Sequence, residues 1–295
     1  MVEALKAPFP YFGGKRRIAN IVWQRFGEVR QYIEPFCGST AVLLAAPHTA
    51  KLETVNDVSF YIANFWRCVK HTPDAVAEYA KYPISHVDLD ARHVWLTDPE
   101  RTLALRVKLA DPDWPGDAKI AGWWVWGVCA WVSRGWCIGA VSPRVATVTV
   151  ESVIPILTQV GQGIQTVPWA EDPTRWLSAL SARLRHVRIT HGDWTRCMNT
   201  SYGKGSTAIF FDPPYKSFEY VYSKNKSIAN DVEAWCRANG HDARIALCGH
   251  AGDYDLPGWD VFQWSRSSGG PDTKEAIWFS PTCLPPAPET GDLIA

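Results

Sequence analysis

Short apolar runs alternate with amphipathic stretches towards both ends of the chain, a pattern typical of an α/β fold. The apolar runs are rich in β-prone residues, and they predict strands at 31–33, 52–55, 187–190, 207–211, 243–248, 259–264 and 276–279. Apolar residues at helical spacing predict helices at 18–26, 59–69, 176–184 and 232–236. We expect the last two strands to form a closing hairpin.

The middle of the chain has a different composition. Residues 83–120 are polar, and within them 103–109 alternate as a strand would but consist of good helix formers, so we predict a short helix. Residues 121–132 are bulky and apolar, which indicates a buried helix or a strand pair whose tryptophans are mostly core. Nine of the sixteen tryptophans fall between 86 and 185, namely Trp95, Trp114, Trp123, Trp124, Trp126, Trp131, Trp136, Trp169 and Trp176. This shift marks a candidate subdomain.

Asp212 stands directly after the predicted buried strand 207–211 and is followed by Pro213, Pro214 and Tyr215. The prolines end the strand, because they lack a backbone N–H and force an extended exit. Ligands of open α/β sheets bind at this edge. The Asp212 carboxylate and the Pro213 carbonyl can accept hydrogen bonds from one amino group, and the Tyr215 ring can stack. The group suits a planar heterocycle with an exocyclic amine; a chance Asp-Pro turn is the alternative.

Two segments nearer the N-terminus also suggest ligand chemistry. Lys15-Arg16-Arg17 begins a predicted helix, where cations oppose the macrodipole, so these residues either face an anion or form a solvated cluster. Residues 34–44 have the glycine turn and helix of a nucleotide-type α/β unit, without the G-x-G-x-x-G of dinucleotide sites. Asp57 closes the second strand, where an acid commonly holds ribose hydroxyls; a helix N-cap is an equally good interpretation.

Four blocks, in this order, resemble the Dam-like DNA adenine methyltransferases. They are Tyr11-Phe12-Gly13-Gly14-Lys15, Glu34-Pro35-Phe36-Cys37-Gly38-Ser39, Asn56-Asp57 with Asn64-Phe65-Trp66, and Asp212-Pro213-Pro214-Tyr215. The resemblance covers residues 1–82 and 186–280. The chain departs from the family at Thr40, which stands where a second glycine is usual. A side chain there occupies a place of close backbone approach to the cofactor.

The resemblance implies a Rossmann-like methyltransferase sheet with helices on both faces and an inserted smaller DNA-recognition domain. Residues 1–85 and 186–283 would form the catalytic domain and 86–185 the target-recognition domain, with a disordered tail at 284–295. The implied reaction is site-specific transfer of a methyl group from S-adenosylmethionine to the 6-amino group of adenine in double-stranded DNA. The implied catalytic residues, acting on a flipped-out base, are Asp212, Pro213, Pro214 and Tyr215. The implied cofactor-binding residues are Tyr11, Gly13, Lys15, Glu34, Phe36, Gly38, Asp57, Asp193, Trp194 and Asp212.

Candidate DNA contacts are basic residues beside aromatic or small ones. Arg134, within Ser133-Arg134-Gly135-Trp136, and Arg144 have surroundings typical of exposed loops that touch phosphates or guanine. After the Asp212 block, cations interleave with aromatics, which suits a loop closing over a flipped nucleotide and is also common in solvated loops. The candidates there are Lys216, Tyr222 and Lys224.

Net charge, cysteine usage and apolar run length indicate which partners and which cellular compartment to expect. The 295 residues carry zero net charge, so any nucleic-acid contact must be a local basic patch. The eight cysteines lack CxxC spacing and most of them sit in apolar surroundings, which favours buried reduced thiols over zinc ligands. Because there is no signal peptide and no long apolar run, we expect no membrane span and a cytoplasmic protein.

Alternatives from the residues stay open. The same chemistry would serve the cytosine 4-amino group or an adenine of RNA. A relative that kept the fold, bound DNA and lost the activity, as a phage or restriction-associated decoy, is supported by Thr40 and by the neutral net charge. The family resemblance also allows a partner restriction endonuclease.

Overall fold

The chain is described by a computed structural model that covers residues 5–10, 15–131, 136–137, 163–165, 173–198, 205–216, 228–265 and 274–286. Its contacts divide the chain into two compact units. Unit 1 consists of 1–14 and 57–193, and unit 2 of 15–56 and 194–295.

Helices and strands alternate towards both ends of the chain, and helices alone fill the described part of its middle. The helices of the described ranges are α1 (Ala19–Phe26), α2 (Ala41–Leu44), α3 (Phe60–His71), α4 (Pro73–Ala80), α5 (His86–Leu96), α6 (Pro99–Lys108), α7 (Ala118–Ala130), α8 (Pro173–Leu184) and α9 (Ile228–Asn239). The strands are β1 (Gln31–Glu34), β2 (Leu52–Asp57), β3 (Val187–His191), β4 (Thr207–Phe211), β5 (Arg244–His250), β6 (Asp260–Ser265) and β7 (Lys274–Phe279). The seven predicted strands and the α/β class are confirmed.

Unit 2 contains sheet strands in the order β2-β1-β4-β5-β7-β6. β1 runs parallel to β2 and β4, and β4 runs parallel to β5. The carboxyl ends of these strands therefore meet at one edge. β7 is antiparallel to both β5 and β6, so the predicted closing hairpin is confirmed. The antiparallel direction brings the beginning of β7 to that same edge, where Glu275 pairs with His250 at the end of β5.

Helices cover both faces of the unit 2 sheet. Successive residues of a strand point to opposite faces, so buried apolar neighbours such as Tyr32 and Ile33 pack on different layers. On one face Tyr32 of β1 contacts the ring of Trp23 in α1, with 5.0 Å between ring centroids. On the other face its neighbour Ile33 belongs to a buried cluster that includes Val232 and Cys236 of α9. The core of unit 2 thus lies in two layers, with β1 and β4 between them.

Unit 1 is built around α7. Helices α3 and α4 pack against both α7 and α8. The ambiguous apolar segment is thereby resolved as a helix as far as Ala130, and Trp124 and Trp126 are core residues as predicted. Gly122 lets α4 approach closely, since a Cβ atom there would lie 2.4 Å from the Cβ of Tyr79.

Two helices, α4 and α5, were not predicted from the sequence. In α5 the buried positions are Leu89, Arg92 and Leu96, so a charged residue stands in the middle of the apolar face. The Arg92 guanidinium lies over the ring of Trp126, at 4.1 Å from its centroid, and this cation–π contact makes its burial tolerable. The available signal was Ser85, whose hydroxyl caps the helix by accepting from the N–H of Asp88.

The two units do not follow the domain boundaries drawn from the sequence. Contacts group residues 57–85 with 86–193, because α3 and α4 pack on α7 and α8. The division at 85 and 185 stays a prediction about function. The tail predicted to be disordered begins at Leu284, whose N–H donates to the Arg25 carbonyl at 2.8 Å, and residues 287–295 lie outside the described ranges.

The state of the cysteines and the length of the helices can be compared with the expectations from composition. All eight cysteines lie in the described ranges, none forms a disulfide, and all but Cys283 are buried. The prediction of buried reduced thiols is confirmed. Within the residues described, no helix combines the length and the apolar character that a membrane crossing requires.

Thr40 is a strained point of unit 2. It has φ 52° just before α2, in the left-handed region that β-branched residues rarely adopt. Its hydroxyl is buried and has no hydrogen-bond partner among the described residues. We expect Thr40→Gly to raise the free energy of unfolding by about 1 kcal/mol, because glycine removes the strain. Chemical denaturation of the cofactor-free protein measures this.

Thr40→Ala is the matched control for this prediction. Alanine removes the buried hydroxyl but keeps a Cβ atom at the same φ, so its gain should be smaller than that of glycine. A glycine variant less stable than the wild-type protein would contradict the strain argument.

Candidate active site

The edge of the sheet next to β4 carries the group singled out from the sequence. All five residues of β4 are buried, and the strand ends at Phe211. Asp212 is partly exposed, Pro213 and Tyr215 are buried, and Pro214 is intermediate. Because β4 is fixed between β1 and β5, the position of Asp212 is set by a strand with neighbours on both sides.

Lys15 reaches this edge from the short 3₁₀ turn Lys15–Arg17 that precedes α1. Its ammonium group is buried and lies 2.9 Å from Oδ1 of Asp212. It donates a hydrogen bond to the Tyr215 hydroxyl at 2.8 Å and lies 3.7 Å from Oε2 of Glu275. The Tyr215 hydroxyl donates in turn to Oε2 of Glu275 at 3.3 Å. We call Lys15, Asp212, Tyr215 and Glu275 the Lys15 cluster.

The Lys15 cluster places one buried cation among two carboxylates. Burial alone would lower the pKa of Lys15, but the charges of Asp212 and Glu275 outweigh it and raise that pKa, so the ammonium stays protonated. Burial raises the pKa of Asp212, Lys15 opposes this, and Glu275 adds to it. Burial also raises the pKa of Tyr215 far above its ordinary value, so its hydroxyl keeps the proton that it donates to Glu275.

The turn after β1 forms a second part of the edge. Gly38 adopts a left-handed conformation with φ 45°. The turn is tied to the end of β2, because the Cys37 N–H donates to the Asn56 carbonyl at 2.9 Å and the Asn56 side chain donates to the Pro35 carbonyl at 3.0 Å. Glu34 is buried and accepts a hydrogen bond from the Tyr32 hydroxyl at 3.0 Å.

Aromatic rings adjoin this turn. Phe36, which is half-buried, has its ring centroid 6.4 Å from that of Trp194 and 6.4 Å from that of Phe211. Trp194 is buried and packs edge-on against Phe211 at 5.9 Å. The structure therefore brings together three of the predicted cofactor residues, Phe36, Gly38 and Trp194, within unit 2, with Glu34 at the base of the turn.

Two predicted cofactor residues, Asp57 and Asp193, belong to unit 1. Asp57 is buried at the end of β2, and its Oδ1 accepts a hydrogen bond from the N–H of Ser59 at 2.8 Å. The N-cap of α3 is Ser59, whose hydroxyl accepts from the N–H of Ile62. The interpretation of Asp57 as the helix N-cap is therefore wrong. Asp193 is exposed directly after the β3 strand and its following glycine.

Lys216, a predicted DNA contact, is engaged within unit 2. Its ammonium lies 3.1 Å from Oε2 of Glu233 in α9 and also donates to the carbonyl of Asp253. A DNA phosphate would have to compete with Glu233 for it. The other predicted site residues, Tyr11, Gly13, Arg134, Arg144, Tyr222 and Lys224, lie outside the described ranges.

Glu275 was missed by the sequence reasoning. The run 276–279 was identified as a strand, and the acid just before it was not considered. The sequence did contain a signal for it, namely a single charged residue directly before an apolar strand. Burying such a charge costs free energy unless a partner group compensates the charge. Which partner compensates it depends on strand pairing, which the run alone does not reveal.

A comparison with protein families adds to this geometry. The family model described as D12 class N6 adenine-specific DNA methyltransferase matches residues 11–94. The chain is similar to this family over that N-terminal segment. The D12 class transfers a methyl group to N6 of adenine in DNA, so this chain is an enzyme of that kind and DNA is its substrate. No curated protein matches the chain.

The match to the D12 class includes three of the four blocks recognised in the sequence. It includes the Tyr11–Lys15, Glu34–Ser39 and Asn56–Trp66 segments, whereas Asp212–Tyr215 lies beyond it. Lys15 connects the matched segment with the Asp212–Tyr215 block, because it lies inside the segment and contacts both Asp212 and Tyr215.

Removing the buried cation should destabilise unit 2. In Lys15→Met the two carboxylates of the cluster would face each other across an apolar side chain, so we expect a loss of about 3–5 kcal/mol in the free energy of unfolding at pH 7. Denaturant titration measures this loss.

Lys81→Met is the matched control for Lys15→Met. Lys81 lies 2.6 Å from Glu78, but both side chains are exposed, so the change should stay below about 1 kcal/mol. Equal losses in the two variants would show that burial of Lys15 has no energetic consequence.

Proposed function

We propose that this D12 class chain uses S-adenosylmethionine as its methyl donor and that Asp212 and Tyr215 hold the target adenine. The observation that carries the proposal is the contact of Lys15 with both residues at the edge of the sheet. In open α/β sheets this edge is where ligands bind. The family match lends independent support, because it places Lys15 in the segment that the D12 class shares.

The residues of unit 2 fit such a donor. The left-handed turn at Gly38 allows close approach of a ligand to the backbone, and Phe36 and Trp194 offer aromatic surface beside it. Formally, the Lys15 cluster carries two negative charges and one positive charge, which suits a cationic ligand. When bound, S-adenosylmethionine supplies a methyl group attached to a sulfonium. Once the methyl group is transferred, the sulfur is left as a neutral thioether. We propose Tyr11, Gly13, Asp57 and Asp193 as further cofactor residues on the family resemblance.

The chemistry assigned to Asp212 is acceptance of a hydrogen bond and then of a proton. One oxygen of its carboxylate receives Lys15, and a carboxylate has about four acceptor sites, so capacity is left for an amino hydrogen of the base. The Pro213 carbonyl would accept the second amino hydrogen. Two such acceptors draw the nitrogen lone pair out of conjugation and direct it towards the methyl carbon. The alkylated amine must lose a proton, and the raised pKa of Asp212 makes this carboxylate a suitable acceptor.

The target base cannot be reached inside the duplex, so we propose that it is flipped out and stacks on Tyr215. Recognition of the DNA sequence is proposed for residues 86–185, with Arg134, Arg144, Tyr222 and Lys224 as contacts. A partner restriction endonuclease would cut the same sequence when it is unmethylated. These assignments rest on the sequence, and so does the expectation that the enzyme works in the cytoplasm.

Asp212→Asn tests the central role. The amide keeps the shape of the side chain but removes the negative charge and the proton acceptor, so we expect methyl transfer to fall by at least about 100-fold. The assay measures transfer of label from S-adenosylmethionine to unmethylated genomic DNA, followed by nucleoside analysis. Label in 6-methyladenine identifies the reaction, and label in 4-methylcytosine or only in RNA would overturn the assignment of the substrate.

Asp255→Asn serves as the control for this variant. Asp255 is an exposed acid of the same unit, and its backbone bonds Arg237 and Glu233, neither of which belongs to the Lys15 cluster. It should keep full activity. An Asp212→Asn protein that folds normally and methylates as fast as the control would remove Asp212 from the mechanism.

Lys216 and Lys224 should differ in how they affect binding of DNA. A lysine that neutralises a phosphate contributes about 0.9 to the slope of log K against log salt concentration. Lys224→Ala should lower the slope by that amount. Lys216→Ala should leave it unchanged, because Glu233 already neutralises this ammonium. Titration of genomic DNA fragments at several salt concentrations measures both slopes, and a lower slope for Lys216→Ala would show that the Glu233 pair opens on DNA.

A further inference from the structure

Glu275 lies within the active-site edge although it belongs to the hairpin that closes the sheet. It is buried, with 1% of its surface exposed, and it pairs with His250 in the antiparallel register of β5 and β7. Its Oε2 atom is 3.3 Å from the Tyr215 hydroxyl and 3.7 Å from the Lys15 ammonium. A carboxylate is rarely buried this deeply unless its charge has a use or a close partner.

The first effect of Glu275 is to fix the Tyr215 ring. The Tyr215 hydroxyl accepts a hydrogen bond from Lys15 and donates one to Glu275, so both of its roles are taken. The ring also packs edge-on against His250, with 4.7 Å between ring centroids. An aromatic side chain held at its hydroxyl and at its edge presents one orientation to a stacked base, which reduces the entropy lost on binding.

The second effect of Glu275 concerns charge. Without it, Lys15 and Asp212 would form a neutral pair; with it, the Lys15 cluster has a net charge of −1. Burial raises the pKa of Cys248 on the neighbouring strand, so this thiol stays neutral and does not change the count. A net negative charge in a buried site favours a cation over a neutral molecule of the same shape.

We propose that Glu275 is a positioning residue for methyl transfer: it holds the Tyr215 ring and supplies the negative charge that makes the site prefer the cationic methyl donor to its neutral product. The proposal rests on the proposed function of Asp212 and Tyr215. It assigns a role to the hairpin strand β7, which the sequence patterns leave as structural.

Glu275→Gln removes the charge and keeps an oxygen that can accept from Tyr215. Calorimetry with S-adenosylmethionine and with S-adenosylhomocysteine gives the ratio of their dissociation constants. We expect the preference for the cationic donor to fall by about tenfold. The rate of methyl transfer to genomic DNA falls on the acid side as Asp212 becomes protonated. In Glu275→Gln this fall should occur about 1 pH unit lower than in the wild type, because removing a neighbouring negative charge lowers the pKa of Asp212.

Apart from Glu275 itself, the ionisable groups around Asp212 and the other members of the Lys15 cluster stay in place in this comparison. They are Lys15 before α1, Glu34 of β1, Tyr215 in the same loop as Asp212, Cys248 and His250 of β5, and Tyr254 after β5. A shift between wild type and Glu275→Gln therefore reports the Glu275 charge.

Glu275→Asp separates the two effects. Aspartate keeps the charge but is too short to hold the Tyr215 hydroxyl, so kcat should fall about tenfold while the ratio of dissociation constants stays as in the wild type. Glu53→Gln is the matched control, since Glu53 is a buried acid of the same sheet that bonds the N–H of Ala50, and it should change neither quantity. Thermal melting confirms that each variant is folded.

Unchanged ratio and pH profile in Glu275→Gln would overturn the charge role, and an unchanged kcat in Glu275→Asp would overturn the role in holding the ring. Should Glu275→Gln fail to fold, Tyr215→Phe tests the hydroxyl link instead, and a wild-type kcat there would overturn it. If the wild-type protein binds S-adenosylmethionine but labels no DNA, the proposed function fails while the ratio still decides the charge role. A wild-type protein that binds neither molecule would overturn both proposals.

Discussion

Burial of the Lys15 ammonium is the constraint on which the arrangement of unit 2 depends. Removing this charge from water costs several kcal/mol, and only close, well-placed partners offset the cost. Asp212, Tyr215 and Glu275 provide them from two segments of the chain. Each of the two acids depends on a strand in register: β4 must end at Phe211 to place Asp212, and β7 must run antiparallel to β5 to place Glu275. A shift of either strand by one residue would turn its acid to the other face and leave the ammonium buried alone.

Most of the fold of unit 2 could be predicted from the sequence, because strand ends and glycine turns are local signals. Asp212 was found in this way, since a buried run followed by two prolines fixes its place. Glu275 was not, because its importance comes from the antiparallel pairing of β7 with β5, a tertiary property that no local pattern contains. Lys15 falls between these cases. Its family block identified it, and its partners became visible only in three dimensions.

Unit 1 shows a different reason for incomplete prediction. Its central helix α7 is apolar on all sides, so periodicity could not separate a helix from a strand pair. The family block Asn64-Phe65-Trp66 is fully buried, and the Asn64 side chain donates to the Asp117 carbonyl and accepts from its N–H, which anchors the start of α7. This block therefore has a structural role, which is to hold α3 against the beginning of α7. A residue shared with a family of enzymes need not touch a ligand to be required.

The sequence separation within the Lys15 cluster has a consequence for biosynthesis. Lys15 is 200 residues from Tyr215 and Tyr215 is 60 residues from Glu275, so the cluster closes loops of very different length. Proteins are made from the N-terminus and domains begin to fold during synthesis. The nascent chain thus contains the lysine long before its acids have been made, and Glu275 follows Tyr215 by a further 60 residues. A ribosome-bound or truncated chain lacking β7 cannot complete the Lys15 cluster, because Glu275 belongs to β7.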